Sequence, residues 1–207
     1  MSGKMVGMVR QINREKPELQ LVFQCAPFLI GYKISNLVVM AECDWQKLNG
    51  VLYGSCIGRR ILYEERDKLT ILLYHPDMLA AYLNDRGARE ILWSAGYRAF
   101  DVESVLTAFT GRYRESRRRG TDFPHELGLL LGYPLEDVRG FIANKGKNSL
   151  YAGYWKVYAN VPAKRSVFRQ YERAKEMLLT MMYQGIALPE IIGICSKKEA
   201  PESDCAM

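Results

Sequence analysis

The chain has 207 residues, 48% of them hydrophobic, and a formal net charge of +6. That is enough apolar material to bury a core in one domain, which excludes disorder through the bulk of the chain. Apolar runs such as LVVMA at 37–41 and ILLY at 71–74 fall far short of the roughly 20 residues that span a bilayer.

The opening MSGKMVGMVRQINREK lacks the apolar core and small-residue cleavage site of a signal peptide, so a cytoplasmic location is expected. Residues 17–31, PELQLVFQCAPFLIG, place Leu19, Val22, Phe23 and Ala26 at helical spacing behind a proline suited to a first turn. Pro27 removes a backbone donor, so this helix is expected to kink or end near Cys25 and Ala26. The β-branched run SNLVVMA at 35–41 reads as a short buried strand. DWQKLNGVLYGSC at 44–56 reads as a helix capped by Asp44, with Trp45, Leu48, Val51 and Leu52 on one face.

RILYEERDKLTILLY at 60–74 gives two β-rich runs around 64–68, a hairpin signal. His-Pro-Asp ends it, and short helices are expected over 77–83 and 88–95. A longer helix starts from an Asp101 cap and carries Val102, Val105, Leu106, Phe109 and Tyr113 as an inward stripe. FPHELGLLLGYPLEDVRGFIANKGKN at 123–148 reads as two short helices joined by a tight corner. Pro124 and Glu126 suit the first turn of one, Gly132 its end, and Pro134, Glu136 and Asp137 the first turn of the next. GYWKVY at 153–158 alternates like an edge strand, and residues 162–185 form a long helix burying Phe168, Tyr171, Ala174, Leu178 and Met181. The polar SKKEAPESDCAM at 196–207 is expected to be disordered. The sum is a single α+β domain over residues 1–195. Its small, mainly antiparallel sheet of about four strands, drawn from the hairpin, the Leu37 strand and GYWKVY, is covered by helices and followed by a long C-terminal helix.

Few residues carry a recognisable chemistry. Cys25, Cys43, Cys56, Cys195 and Cys205 are odd in number with no CxxC pair, which suits reduced thiols rather than a disulfide framework. His125-Glu126 begins like a zinc-protease helix, but the second histidine that would put two imidazoles on one face is replaced by Leu129. No metal site is expected. NKGKN at 144–148 could hold an anion on exposed backbone N–H groups, or could simply close a helix through Gly146. There is no GxxxxGK[ST], no GxGxxG after a strand and no GxSxG. Cys25 could be exposed by Pro27 or packed, and Tyr154 and Trp155 beside Lys156 could form a stacking face or an edge. RYRESRRR at 112–119 carries Arg112, Arg114, Arg117, Arg118 and Arg119. It suits either a phosphate backbone or a solvated helix end whose cations offset the dipole.

Two stretches together resemble a known bacterial family, domain of unknown function 3793. They are QCAPFLIGYKISNL at 24–37, and HELGLLLGYPLEDVRGFIANKGKN with the succeeding GYWKVY. In that family a histidine often precedes the Cys-Ala-Pro, where this chain has Gln24. The resemblance implies no activity; it suggests a link to iron or flavodoxin redox physiology. The positions it offers as a ligand or partner site are Cys25, Lys33, His125, Glu126, Tyr133, Asp137, Asn144, Lys147, Trp155 and Lys156. Anion contacts would fall to the lysines, hydrogen bonding to Asn144, and acid–base or orienting work to His125 with Glu126.

Three functions are expected, in descending order. The first is a non-enzymatic accessory module that binds a small anionic ligand or a protein partner, flavodoxin-like by the resemblance. The second is an enzyme acting on a phosphorylated or carboxylated metabolite through His125 and Glu126. Nucleic-acid binding through the arginine run ranks third and is not the expected partner class.

Overall fold

Alternation along KLTILLY sets the architecture. Leu69, Ile71 and Leu73 point to one face and Leu72 to the other, and all four are buried, so this strand is covered on both sides. The structure, a computed structural model, describes residues 16–120 and 123–196. The expectations for the opening residues and for the polar tail lie outside these.

In chain order the elements are α1 (Pro17–Leu29), β1 (Ser35–Ala41), α2 (Glu42–Val51), β2 (Gly58–Glu65), β3 (Lys68–Tyr74), α3 (Pro76–Leu83) and α4 (Arg86–Ser94). Then come α5 (Val102–Arg119), α6 (Leu127–Leu130), α7 (Leu135–Ala143), β4 (Tyr151–Ala152), β5 (Lys156–Val157), α8 (Val161–Tyr183) and α9 (Leu188–Ser196). The α+β class, the antiparallel sheet and the long C-terminal helix are as the sequence predicts. β1, β3 and β2 form the sheet in that order, β3 pairing antiparallel with both neighbours. One face packs against α1, α2, α8 and α9, the other against α3 through α7.

Both edges of the sheet are occupied. On β1, the Gln20 amide donates to the Val39 carbonyl at 3.2 Å and the Val39 amide donates to Gln24 Oε1 at 3.5 Å. On β2 the register shifts between Ile61 and Tyr63, and the Leu62 carbonyl accepts from Arg114 Nε at 3.0 Å. Side chains thus take backbone groups that another strand could otherwise pair with.

Several local expectations are corrected. α1 runs through Pro27 to Leu29. The proline lies in the last turn, where it forfeits a single helical hydrogen bond. Its carbonyl accepts from the amides of Tyr32 and Lys33 at 2.8 and 3.2 Å. α2 starts at Glu42, so Asp44 sits inside the first turn and pairs with Lys47 instead of capping. α6 is a single turn starting at Leu127, and Pro124 and Glu126 precede it. The GYWKVY segment contributes only Lys156 and Val157 to a strand, which pairs with Tyr151 and Ala152 in a separate two-stranded ribbon. A two-residue ladder leaves the main sheet at three strands. Met181 is only partly buried on α8.

The corner between α6 and α7 is anchored from three directions. Gly132 closes α6 at φ 66°, a left-handed conformation, with the Ile34 side chain filling the space a Cβ would need. The Ser35 hydroxyl donates to the Leu130 carbonyl, and Tyr82 Oη donates to the Tyr133 carbonyl at 2.5 Å. The corner is therefore tied to β1 and to α3. α7 is tied to α8 by Lys164 Nζ, 2.6 Å from Glu136 Oε1, a contact that holds the Glu136 carboxyl below the usual carboxylate range.

Candidate functional site

α6 with the residues just before it, α7 and the β4–β5 ribbon line a partly open cavity of about 250 Å³. Phe123, Tyr133, Phe141 and Trp155 supply its aromatic walls, and Leu127, Leu131 and Val138 its aliphatic ones. The polar groups on it are His125, Asp137 and Lys156. Five of the ten positions singled out from the sequence thus meet around one space: His125, Tyr133, Asp137, Trp155 and Lys156.

Each polar group has a distinct state. Asp137 is buried and fully committed. It accepts from Trp155 Nε1 at 2.8 Å and from the backbone amides of Tyr158 and Ala159 at 2.7 and 3.2 Å. Those three donors fix the Trp155 ring and the chain after β5 to the start of α7. Lys156 is exposed; its ammonium donates to the Gly146 carbonyl at 2.6 Å and lies 5.8 Å from the Phe141 ring centre. His125 differs from both. Its Nδ1 is buried with no hydrogen-bond partner, and its ring packs edge-on to Phe141 at 5.3 Å. The Trp155 ring stacks on Tyr133 at 5.0 Å and meets Phe168 edge-on at 4.5 Å.

Glu126 turns elsewhere. Its carboxylate accepts from Tyr97 Oη at 3.1 Å and lies 2.8 Å from Arg112 Nε, and only 5% of its side chain is exposed. It borders a second, wider groove of about 550 Å³ that His125 also reaches. Adjacent in sequence, the two residues of the His-Glu pair do not share hydrogen-bonding partners. Asn144 Nδ2 donates to the Gly140 carbonyl at 2.9 Å and closes its own helix, while Lys147 is exposed.

Cys25 and Lys33 form a second cluster, joined by a residue that sequence reasoning passed over. Asn36 Oδ1 accepts from Lys33 Nζ at 2.6 Å, and Asn36 Nδ2 donates to Cys25 Sγ at 3.2 Å and to the carbonyls of Gln24 and Leu37. Burial pushes the Lys33 amine down to about 8, against the opposing pull of the Cys25 sulfur. Burial likewise pushes the Cys25 thiol up to about 12, countered in part by Asn36 and Lys33. Lys33 Nζ lies 5.9 Å from the Tyr133 ring, so Tyr133 belongs to both clusters. Burial also raises the Tyr133 phenol to about 12. The Cys25 thiol is free, as are the exposed thiols of Cys43 and Cys56.

The arginine run is largely engaged in the fold. Arg112 pairs with Glu126 and donates to the Ala95 carbonyl, Arg114 caps the β2 edge, Arg117 pairs with Glu65, and Arg119 with Glu115. Among the described residues no group of three or more His, Cys, Asp or Glu could hold a metal ion, and no helix is long and apolar enough to cross a membrane.

The cavity is thus walled by aromatic rings, carries one buried imidazole nitrogen with no hydrogen-bond partner, and lies between a two-helix corner and a short ribbon. The chain carrying it belongs to the family described as Protein of unknown function (DUF3793), which matches residues 21–192. Comparison with curated proteins and with solved structures finds no match.

Asn36, Phe123, Phe141 and Tyr97 were not singled out as site residues from the sequence, and Arg112 was read only as part of the arginine run. The one available signal was Asn36, a lone amide followed by the apolar run of β1.

Proposed function

We propose that this chain is a non-enzymatic accessory module that binds a small ligand with an apolar body and an anionic end in the His125–Trp155 cavity. The observation that carries the reading is the buried, unpartnered Nδ1 of His125 in a cavity walled mostly by apolar and aromatic groups. Buried polar atoms nearly always have partners, so one left over in a cavity suits a ligand atom. Lys156 supplies positive charge at the same space, and the Asp137 charge is spent on three donors.

Binding is favoured over catalysis by the state of the same groups. A general base needs an orienting partner and a free lone pair. The Glu126 carboxylate faces Arg112 and Tyr97 and does not partner His125 Nδ1. The iron or flavodoxin link, and a flavodoxin-like protein partner, rest on the family resemblance.

The test is a thermal-shift screen of anaerobically purified protein against small organic acids, phosphorylated metabolites, nucleotides, flavins, ferrous iron and a flavodoxin. A ligand at 100 times its Kd raises stability by about 2.7 kcal/mol. The expected hit is a small organic acid, and its shift disappears in Leu127→Trp, which fills the cavity. A hit that survives Leu127→Trp moves the site elsewhere and overturns the reading.

A further inference from the structure

Among the described residues two buried side-chain polar atoms lack a hydrogen-bond partner, His125 Nδ1 and Tyr158 Oη. Native interiors keep few such atoms, and each one calls for a cause. These two share a neighbour. The His125 ring meets Phe141 at 5.3 Å and 64°, and the Tyr158 ring meets it at 6.4 Å and 87°.

The chain around Phe141 is cleared for rings. A Cβ on Gly140 would fall 2.4 Å from Tyr158 Cβ, and one on Gly146 would fall 2.9 Å from the Phe141 ring. Phe141 lines the cavity. Tyr158 does not line it, but its ring packs edge-on against that of Phe141. Lys156 stands over the same ring at 5.8 Å and also lines the cavity, so a cation borders both.

Resting on the reading of this cavity as a ligand site, we propose that its ligand is a monocyclic aromatic acid with a second hydrogen-bonding group on the ring, and that Phe141 is the wall that yields to it. The carboxylate accepts from Tyr158 Oη beside the Lys156 ammonium. The ring substituent meets His125 Nδ1, which accepts or donates according to tautomer. The ligand ring lies among Tyr133, Trp155 and Phe123. Size limits the class: about 250 Å³ lies below the roughly 300–1,000 Å³ of pockets for drug-sized ligands, so a single ring fits and a flavin or dinucleotide does not.

The experiment is calorimetric titration of the full chain with 4-hydroxybenzoate as probe, beside benzoate and cyclohexanecarboxylate. The expected result is binding of 4-hydroxybenzoate at least tenfold tighter than either. Tyr158→Phe and His125→Ala each weaken it tenfold or more, while the melting temperature of the free Tyr158→Phe protein holds or rises. A purely structural tyrosine would lower that melting temperature on losing its hydroxyl. Equal binding of all three probes, unmoved by Tyr158→Phe but abolished by Leu127→Trp, overturns this proposal and leaves the cavity reading standing. No binding of any probe at millimolar concentration also overturns the proposal, and the broader screen then decides on the cavity separately.

Discussion

The Lys33 ammonium lies 2.6 Å from Asn36 Oδ1, a buried cation facing a neutral amide. Its amine is pushed down to about 8 from an ordinary 10.5. Between those two values the unfolded chain holds a proton that the folded chain has released, so stability rises with pH through this window and the penalty is complete below it. Cys25 works in the opposite sense. Its thiol is raised from 9 to about 12, so above pH 9 the unfolded chain loses a proton the folded chain keeps, and stability falls.

The expected profile therefore climbs between pH 8 and 9 by about 1 kcal/mol and levels off above pH 9, where the falling Cys25 contribution offsets the rising one of Lys33. Urea denaturation across pH 7–10 reads it. Lys33→Met should flatten the climb; a climb that persists in the variant places its origin elsewhere.

Cys25 is completely buried while Cys43 and Cys56 are exposed. Since the thiolate is the nucleophile, a buried thiol held protonated is inert in the folded protein. Thiol titration under native conditions should give the same count for wild type and Cys25→Ala, and one fewer for the variant in denaturant. A native difference of one thiol would show that Cys25 reacts.

The Arg112–Glu126 pair predicts an asymmetry. Glu126 is 5% exposed and Arg112 47% exposed. Removing the arginine strands a buried carboxylate, at a cost of about 3 kcal/mol. Neutralising the acid by Glu126→Gln leaves a guanidinium that water can reach and costs about 1 kcal/mol. Chemical denaturation of the two variants checks the order, and ligand binding in the cavity should survive Glu126→Gln.

Asp137→Ala removes the acceptor of three donors, one of them the Trp155 indole. The expected loss is about 3 kcal/mol, with ligand binding lost as well because Trp155 is no longer held. Asp137→Asn keeps an acceptor and should lose less of both.

The glutamines on the β1 edge make a prediction about association. Gln20 and Gln24 occupy the hydrogen-bonding groups of Val39. The double variant Gln20→Ala/Gln24→Ala frees that edge and should self-associate with concentration, as sedimentation would report. A monomeric double variant would mean the edge is protected by something other than the two amides.

Local patterns were legible in the sequence where one element decides its own fate. The hairpin around Arg66 and Asp67, the Asp101 cap of α5 and the apolar stripe of α8 follow from short-range periodicity and turn chemistry. Pro27 misled because helix disruption depends on how many turns remain after it, and only two residues follow before α1 ends. GYWKVY misled because alternation fixes which residues face inward, not which partner strand they find. The site was half legible: the family resemblance picked His125, Tyr133, Asp137, Trp155 and Lys156, which converge on the cavity. Asn36, which joins Cys25 to Lys33 from a different element, could be linked to them only in three dimensions.

The placement of Trp155 has a practical side. The chain has three tryptophans, and of these Trp155 alone lines the cavity, its ring stacked on Tyr133 and its indole N–H bound to Asp137. Emission from that indole depends on both neighbours, so anything entering the cavity alters the light the protein gives off. With Trp45 and Trp93 replaced by phenylalanine, the chain becomes its own optical reporter of occupancy, readable without a label and at concentrations too low for calorimetry.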